Sequence, residues 1–458
     1  MQKLRMILAI LLGRAVRLAA RWLGKGGTDM PGRLALKLCP DLLRRLAGGV
    51  RSVAVTGTNG KTTSARIIEE AFQEQGLSYF ANRSGANLIS GVTTEFLMNA
   101  DWRGRPKKAY AIIECDEAAA KKVFPQLQPE VIVVTNLFRD QLDRYGEVTH
   151  TLANIREAVK GAPKALLCLN ADCSLTASLA GDLPNRVLWF GVEKGAAPNR
   201  PVPALSDASH CIRCKTEYVY DYVTYGHLGG YRCPHCGYRR PAADIAVTDV
   251  VEQRADGSSV VLRVQDAKLA AQINLPAMYN IYNAAGAVAA VTAMGFDAAA
   301  AVEALARFRC GFGRMETFPL GKAGARMMLV KNPAGCNQVL EFLEQIREPF
   351  VLAVCLNDRA ADGTDVSWIW DADFEILGRL GSRLLRVIVS GDRAADMRVR
   401  VKYAGVPEEK VTLQKDYEKL VTELADEEAP IFLMPTYTAM LELRQTVVHR
   451  VGGSEFWE

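Results

Sequence analysis

Strand-like runs of apolar and β-branched residues alternate with amphipathic stretches along this chain. Between Ser52 and about Leu169 the strand-like runs are Val53–Thr56, Ala109–Glu114, Val131–Thr135 and Ala165–Leu169. The helix Ala65–Gln75 and the segment Ile155–Lys160 alternate with them. Such alternation predicts an α/β fold, a parallel sheet covered by helices on both faces. Ligands on such sheets sit beyond the carboxyl ends of the strands, which directs attention to Glu114, Asp116 and Glu117 after one run and to Asn136, Asp140 and Asp143 after another.

The pattern changes on both sides of this region. At the N-terminus an apolar run, Met6–Leu12, is followed by Arg14, Arg17 and Arg21 at helical spacing. It is too short to span a bilayer, which needs about 20 apolar residues, and it lacks the cleavage site of a signal peptide. It reads either as a helix docked on its own domain, the simpler reading, or as a basic amphipathic helix on an anionic membrane surface. Gly24–Gly27 and Pro31 break it, and a helical pattern resumes over Leu34–Leu46 with an interruption at Pro40. Later in the chain, strand-like runs over Ala246–Ile273 precede a helix over Asn280–Met294. A second alternating pattern follows, with strands near Met327–Val330, Val351–Cys355, Leu385–Ser390 and Ile431–Met434. The expected organisation is an N-terminal helical segment over 1–46, a nucleotide-binding domain over 47–314 with an insertion at about 206–240, and a smaller C-terminal α/β domain over 315–458.

Val53 to Thr63 read V-A-V-T-G-T-N-G-K-T-T, a strand breaking into a glycine-bracketed loop before a helix. Gly57 and Gly60 let backbone N–H groups, with those of Thr58 and Asn59 between them, converge on phosphate oxygens. Lys61 reaches the β/γ-phosphates, and the Thr62 hydroxyl, followed by Thr63, is offered to Mg²⁺. Counted from Gly57, the loop is two residues shorter than the general G-x-x-x-x-G-K-[ST] pattern.

Cys211-x-x-Cys214 and Cys233-x-x-Cys236 have zinc-ribbon spacing. Each pair forms a tight knuckle, and four thiolates complete the tetrahedral shell of a structural Zn²⁺ with no open position for a substrate. Composition narrows the picture a little further. A net charge of +5 over 458 residues does not by itself imply nucleic acid. The odd count of 11 cysteines, scattered apart from this cluster, points to a reducing, cytoplasmic compartment.

Taken together these segments resemble the Mur ligase family, ATP-dependent enzymes that join amino acids to peptidoglycan precursors by way of an acyl phosphate. Thr56-Gly-Thr-Asn-Gly-Lys-Thr-Thr63 is similar to that family's P-loop, and Glu114 stands where its Mg²⁺-binding glutamate lies. Asn280-Ile-Tyr-Asn283-Ala-Ala resembles its adenine-contacting helix start. Gly313-Arg314-Met-Glu316 resembles its link into the third domain, where the arginine contacts nucleotide phosphate. Thr135-Asn-Leu-Phe-Arg-Asp140-Gln141-Leu-Asp143-Arg-Tyr-Gly146 looks like the family's T-N-x-x-x-D-H-L-D-x-x-G segment with Gln141 in place of the metal-binding histidine.

The third domain opens on Leu329-Val-Lys-Asn332-Pro333-Ala-Gly335 rather than D-Y-A-H-N-P. With Asn82-Arg-Ser-Gly-Ala-Asn87, the four-cysteine insert and Asn357–Asp371, this resembles the MurT branch. The resemblance implies the ligase subunit of a lipid II isoglutaminyl synthase that uses ATP, Mg²⁺ and a structural Zn²⁺. It also implies a heterodimer with a GatD-like glutamine amidotransferase that supplies ammonia, and a lipid-linked substrate at the cytoplasmic membrane face. Asp365 would then complete the partner's Cys–His pair across the interface; on residue type alone it reads equally as a turn or cap carboxylate. His150, His210, His227, His235 and His449 show no nucleophile setting in the sequence, which supports a partner chain as the source of the ammonia that the resemblance implies. The competing expectations are an amino-acid-adding Mur ligase or folylpolyglutamate-synthase-like enzyme, and a non-catalytic zinc-ribbon nucleotide-binding scaffold.

Overall fold

The central strand β1 (Arg51–Thr56) is buried from Ser52 onward because strands lie on both sides of it and helices cover both its faces. In the computed structural model the described residues are 2–22, 27–83, 86–139, 148–181, 183–201, 206–254, 256–308 and 314–452, with Arg314 described by its backbone alone. Tertiary contacts divide them into two units, one of the residues up to Phe138 and from Val148 to Phe308, the other of Arg139 and 314–452.

The first unit begins with α1 (Gln2–Trp22), α2 (Met30–Leu38) and α3 (Leu42–Ala47). After β1 come α4 (Lys61–Glu74), β2 (Tyr79–Ala81), α5 (Ile89–Met98), β3 (Tyr110–Glu114), α6 (Ala120–Leu127), β4 (Val131–Val134), α7 (Val148–Lys160) and β5 (Leu166–Asn170). A short α8 (Ser174–Ala177), β6 (Val187–Val192), the hairpin β7 (Val219–Tyr225) and β8 (Leu228–Arg232), and the strands β9 (Ile245–Gln253), β10 (Ser258–Val264) and β11 (Ala267–Ile273) lead to α9 (Met278–Ala293) and α10 (Ala298–Arg307).

The main sheet has nine strands in the order β11-β10-β9-β6-β5-β4-β1-β3-β2. Pairing is parallel from β2 to β9, and β10 and β11 extend it antiparallel. The apolar runs read as strands in the sequence are therefore the buried parallel core, as both-face coverage requires. The Ile155–Lys160 segment is the second half of helix α7, β2 is only three residues long, and the apolar run V-L-W-F-G-V forms β6, a parallel strand beyond those expected. Helix α9 is Ala-rich, with one glycine, because it lies close on the sheet: a Cβ at Gly286 would stand 3.2 Å from the Phe190 ring of β6.

The N-terminal helices pack on α5 by close approach. A Cβ at Gly13 of α1 would stand 2.4 Å from Leu97, and one at Gly32 of α2 would stand 1.9 Å from the Ser90 carbonyl oxygen. Pro31 does not break a helix here: it occupies the first turn of α2, where its missing N–H costs nothing. The interruption expected at Pro40 separates α2 from α3.

The second unit contains β12 (Arg314–Phe318), β13 (Ala325–Met328), α11 (Pro333–Gln345), β14 (Phe350–Cys355), α12 (Glu375–Arg379), β15 (Leu384–Ser390), α13 (Ala394–Tyr403), β16 (Val411–Leu413), α14 (Tyr417–Ala425), β17 (Ile431–Pro435) and α15 (Tyr437–Val451). Its six strands run in the order β12-β13-β17-β14-β15-β16, with only the β12–β13 pair antiparallel. Asn332 caps α11 by accepting the Gly335 N–H at 2.8 Å, and Pro333 occupies the first turn, so the altered opening of this domain is a helix start. Glu316 pairs with the buried Arg444 of α15 at 2.9 Å.

The α2–α5 contact generates a direct expectation. Replacing Gly32 by Ala drives a methyl into the Ser90 backbone, and the resulting overpacking lowers stability by about 1–3 kcal/mol, read as a drop in the thermal or urea midpoint. An unchanged midpoint would mean that the two helices move apart freely.

Candidate functional site

The loop between β1 and α4 is held open by its two glycines. Gly57 (φ 120°) and Gly60 (φ 86°) adopt backbone conformations that disfavour any side chain. Space is equally restrictive: a Cβ at Gly57 would stand 2.4 Å from the Thr135 hydroxyl, and one at Gly60 only 2.0 Å from the Asn283 amide oxygen. Because Gly60 is the cap residue of α4 and brings no side chain, the first-turn N–H groups of the helix face the mouth of the loop, where an anion is stabilised.

The segment after β4 braces the other side. The Thr58 N–H donates to the Asn136 carbonyl at 2.9 Å and the Asn59 N–H to the Asn136 side-chain oxygen at 3.0 Å. The Thr58 hydroxyl accepts from Phe138 N–H at 3.1 Å, and the Thr135 hydroxyl donates to the Asn59 carbonyl at 2.7 Å. Thr63 is buried in the helix–sheet contact. The Thr58 and Asn59 N–H groups, expected at the phosphates, are thus bonded to Asn136, and the Thr58 and Thr63 side chains are buried, while the Lys61 and Thr62 side chains reach acidic partners.

Two close pairs define that chemistry. The Thr62 hydroxyl donates to Glu114 Oε2 at 2.6 Å, joining the start of α4 to the end of β3. Glu114 is itself held by Asn82, which bonds to its backbone N–H and carbonyl at 2.8 and 2.7 Å, while Asn87 approaches the carboxylate at 3.5 Å. A hard-oxygen pair of this kind suits a divalent cation such as Mg²⁺. Lys61 folds back into the loop, donating to the Gly57 carbonyl at 2.6 Å and pairing with Glu117 at 2.6 Å. Glu117 is one of the acidic residues flagged by its place beyond a strand. Its pairing with Lys61 is a fact of tertiary structure.

Asn280 and Asn283 lie one helical turn apart at the start of α9, both buried, with Asn283 donating to Asn280 at 3.2 Å. The fold brings Asn283 against Gly60, with Asn280 bonded to it, so the predicted base-contacting residues lie beside the loop. Asp140, Gln141 and Asp143, and the side chain of Arg314, lie outside the described residues.

The four cysteines converge as their spacing predicts. Their sulfurs all fall within 4.8 Å of one another. Each knuckle closes with the same bonds: Lys215 N–H to Cys211 carbonyl at 2.9 Å, and Gly237 N–H to Cys233 carbonyl at 3.2 Å. The left-handed position is a glycine in the second knuckle (φ 73°) but Lys215 in the first (φ 65°). Thr216 beside Cys214 holds that thiol down to about 5. The Tyr238 N–H favours the Cys236 thiolate, but the neighbouring thiols win and push it up to about 12. Thiolates packed this closely need a cation between them, and an all-sulfur tetrahedral set fits Zn²⁺.

Sequence reasoning missed how this insert is anchored. Asp172, fully buried just beyond β5, accepts from Arg240 Nε at 2.6 Å, Tyr282 OH at 2.5 Å and Val192 N–H at 2.9 Å. Burial raises its carboxyl above the ordinary range against the pull of Arg240. Tyr282 sits between Asn280 and Asn283 on α9, so one buried carboxylate ties the cysteine-bearing segment to the helix that abuts the loop. A lone Asp in an N-A-D-C run gives no such signal.

One Cys–His contact also emerges: Cys173 Sγ lies 3.4 Å from His227 Nε2. Burial opposes the thiolate, yet His227 brings the thiol below its ordinary value. Cys173 is 0 % and His227 1 % exposed, so no amide substrate reaches this pair.

Asp365 lies in the second unit on an exposed loop, accepting the Ser367 N–H at 2.8 Å, the bond of a turn carboxylate. The turn it caps is pinned by Arg400, a residue no motif marks. This guanidinium, 2 % exposed, donates to the Ile369 carbonyl at 2.9 Å, the Ala372 carbonyl at 2.8 Å and Glu375 at 2.8 Å. Its neighbours Asp358 and Asp373 pair with Arg393 and Arg379, and Asp362 with Thr438.

Comparisons with known proteins bear on the family and the fold. Residues 55–218 match the Mur ligase middle domain and residues 329–440 the MurT ligase C-terminal family. The chain is 34% identical over 448 residues, 98% of each chain, to the lipid II isoglutaminyl synthase (glutamine-hydrolyzing) subunit MurT of Streptococcus pneumoniae. It is 32% identical to the subunit of the same name from Staphylococcus aureus, over 98% of this chain and 99% of the relative. Among solved structures, a pseudomurein peptide ligase type C from Methanothermus fervidus superposes with a TM-score of 0.65 at 22% identity, over 88% of this chain and 79% of that one. MurF ligase from Thermotoga maritima in complex with ADP superposes with a TM-score of 0.61 at 15% identity, over 91% and 84%.

Two expectations follow from the site. Replacing Cys233 by Ser removes a thiolate, and bound Zn²⁺ measured by elemental analysis falls from one equivalent toward background; retained zinc would place the ion elsewhere. Replacing Asp172 by Ala strands Arg240 without its buried partner and costs about 3–5 kcal/mol, measured by chemical denaturation.

Proposed function

The chain belongs to the MurT family of Mur-ligase-like proteins, and on that footing we propose that it is the ligase subunit of a glutamine-hydrolysing lipid II isoglutaminyl synthase in peptidoglycan synthesis. It binds ATP at Gly57–Thr63, phosphorylates the α-carboxylate of the D-glutamate in the lipid II stem peptide, and forms D-isoglutamine when ammonia displaces the phosphate. The observation that carries this reading is the pair of contacts Thr62–Glu114 and Lys61–Glu117 at the mouth of the phosphate loop.

The backbone N–H groups from Gly60 into the first turn of α4 cradle the phosphates, those of Thr58 and Asn59 being bonded to Asn136, and Asn280 and Asn283 meet the adenine. Thr62 and Glu114 hold Mg²⁺, which when bound offsets phosphate charge. Lys61 exchanges its Gly57 and Glu117 partners for phosphate oxygens as charge develops on the transferring group, a largely electrostatic contribution. Arg314 adds a second cation, as the resemblance implies. Cys211, Cys214, Cys233 and Cys236 hold a structural Zn²⁺ that fixes the insert.

Ammonia comes from a GatD-like glutamine amidotransferase in a heterodimer, and Asp365 orients that partner's catalytic histidine. Support comes from the exposure of Asp365, from the bond that fixes one of its carboxylate oxygens, and from the exposed, edge-to-face Trp370–Tyr403 pair nearby. Asp365 is a positioning residue for chemistry on the other chain. The reaction is placed in the cytoplasm, at the inner face of the membrane where a lipid-linked substrate is found.

Assays on lipid II with the co-purified partner separate these roles. Lys61→Ala lowers amide formation by about 10²-fold or more whether glutamine or ammonium supplies nitrogen; normal turnover would sink the ATP assignment. Asp365→Asn lowers glutamine-dependent amidation by a factor on the order of 10⁴ and leaves ammonium-dependent amidation intact. Equal loss with both nitrogen sources would remove Asp365 from the partner's site.

A further inference from the structure

Helix α1 has two apolar faces, and its domain uses only one. Ala9, Ile10 and Gly13 are buried, the last in close approach to Leu97 of α5. Arg14 donates to the Ala100 carbonyl, and Arg17 to the Gly27 carbonyl at 3.0 Å, so the arginines at helical spacing help dock the helix on its own unit. Among the described residues nothing covers the opposite face. Leu4 is 62%, Leu8 50%, Leu11 51%, Leu18 74% and Trp22 90% exposed, and with Ala15 these residues follow one another at spacings of four and three. That spacing keeps them in a single stripe along the whole helix.

An exposed apolar stripe of this length needs an occupant, and the charges beside it decide which. Helix α1 contains no acidic residue, and its basic residues are Lys3, Arg5, Arg14, Arg17 and Arg21. At 100° per residue, Arg5 borders the stripe on one side, and Lys3, Arg14 and Arg21 border it on the other. The part-buried Glu95 of α5 faces Arg17 and Arg21, while Lys3 and Arg5 are exposed. The same four-three spacing would suit a second copy of the helix, but two such helices would set only cations along their seam, where paired helices need opposite charges. An anionic lipid surface satisfies both features, taking the leucines and Trp22 into the acyl boundary and the cations into the headgroups. No helix among the described residues is long and apolar enough to cross a membrane, so the helix lies in the interface.

We propose that the Leu4–Leu8–Leu11–Leu18–Trp22 face of α1 is a docking surface for an anionic lipid bilayer, holding the first unit at the membrane. This docking surface depends on none of the catalytic assignments. It adds to the proposed function only a way for a soluble site to meet a lipid-linked substrate.

The test is flotation of the full chain, with any co-purified partner, on vesicles free of lipid II. Vesicles containing phosphatidylglycerol are compared with pure phosphatidylcholine. The chain is expected to float with the anionic vesicles and to lose about tenfold or more of its partitioning in Leu8→Ser/Leu11→Ser/Leu18→Ser. These side chains are exposed, so thermal midpoints should hold. A second variant, Lys3→Glu/Arg5→Glu, leaves the stripe intact and is expected to weaken binding to the anionic vesicles alone, as added salt does. Wild-type chain that stays with neither vesicle, or a triple variant that floats undiminished, would overturn the proposal. So would a triple variant that instead loses a dimer by light scattering or loses its co-purified partner. Amidation of detergent-dispersed lipid II by the triple variant, read in parallel, separates failure of docking from failure of the catalytic reading.

Discussion

The α-carbon of Gly60 approaches the Asn283 amide so closely that no other residue fits between the phosphate loop and helix α9, a Cβ there standing 2.0 Å from the amide oxygen. The rest of the first unit is organised around that approach. The left-handed glycine starts α4, α4 places Lys61 and Thr62, and Asn283 brings α9 to the loop. Tyr282, one residue away, reaches Asp172, and Asp172 holds Arg240 at the end of the cysteine-bearing insert. The four-cysteine insert is thereby tied to the loop end of the sheet by two contacts on a single helix, although more than sixty residues separate Asp172 from Arg240.

Charge is handled differently at the two ends of this chain of contacts. Asp172 and Arg240 are a buried pair with every visible role structural: the carboxylate accepts three hydrogen bonds, and its loss leaves a cation without an equivalent partner. Lys61 and Glu117 are almost as deeply placed, at 11 and 5% side-chain exposure, but lie at the mouth of a loop whose amides favour anions. In the proposed function a phosphate entering there would compete with Glu117 for the same ammonium, and the pair would hold the lysine in place until then.

The second unit solves a local problem of its own. Its functional candidate, Asp365, sits on an exposed loop, where conformational freedom would otherwise blur the position of the carboxylate. Arg400 removes much of that freedom by gathering two backbone carbonyls and Glu375 around one buried guanidinium, and Trp370 and Phe374 stack near it at 5.3 and 5.2 Å. The Ser367 N–H of the loop holds the Asp365 carboxylate, and the buried Arg400 fixes the turn that follows it.

What the sequence by itself determined were features written in local spacing. The strand, glycines and Lys-Thr of the phosphate loop, the paired C-x-x-C knuckles and the alternation behind a parallel sheet all depend on neighbours along the chain, so their geometry follows from backbone rules. The bifacial nature of α1 was half legible: periodicity showed an amphipathic helix, but only packing against α5 showed which apolar residues the domain leaves uncovered. Pro31 read as a break because its effect depends on position within a turn. Glu117, Asp172, Tyr282, Arg240 and Arg400 were invisible or undifferentiated, because each acts through a residue far away in the chain. Hydrophobic period fixes which face of an element is buried, but the partner of a buried charge is chosen by how those faces stack, and that choice is made only in the tertiary structure.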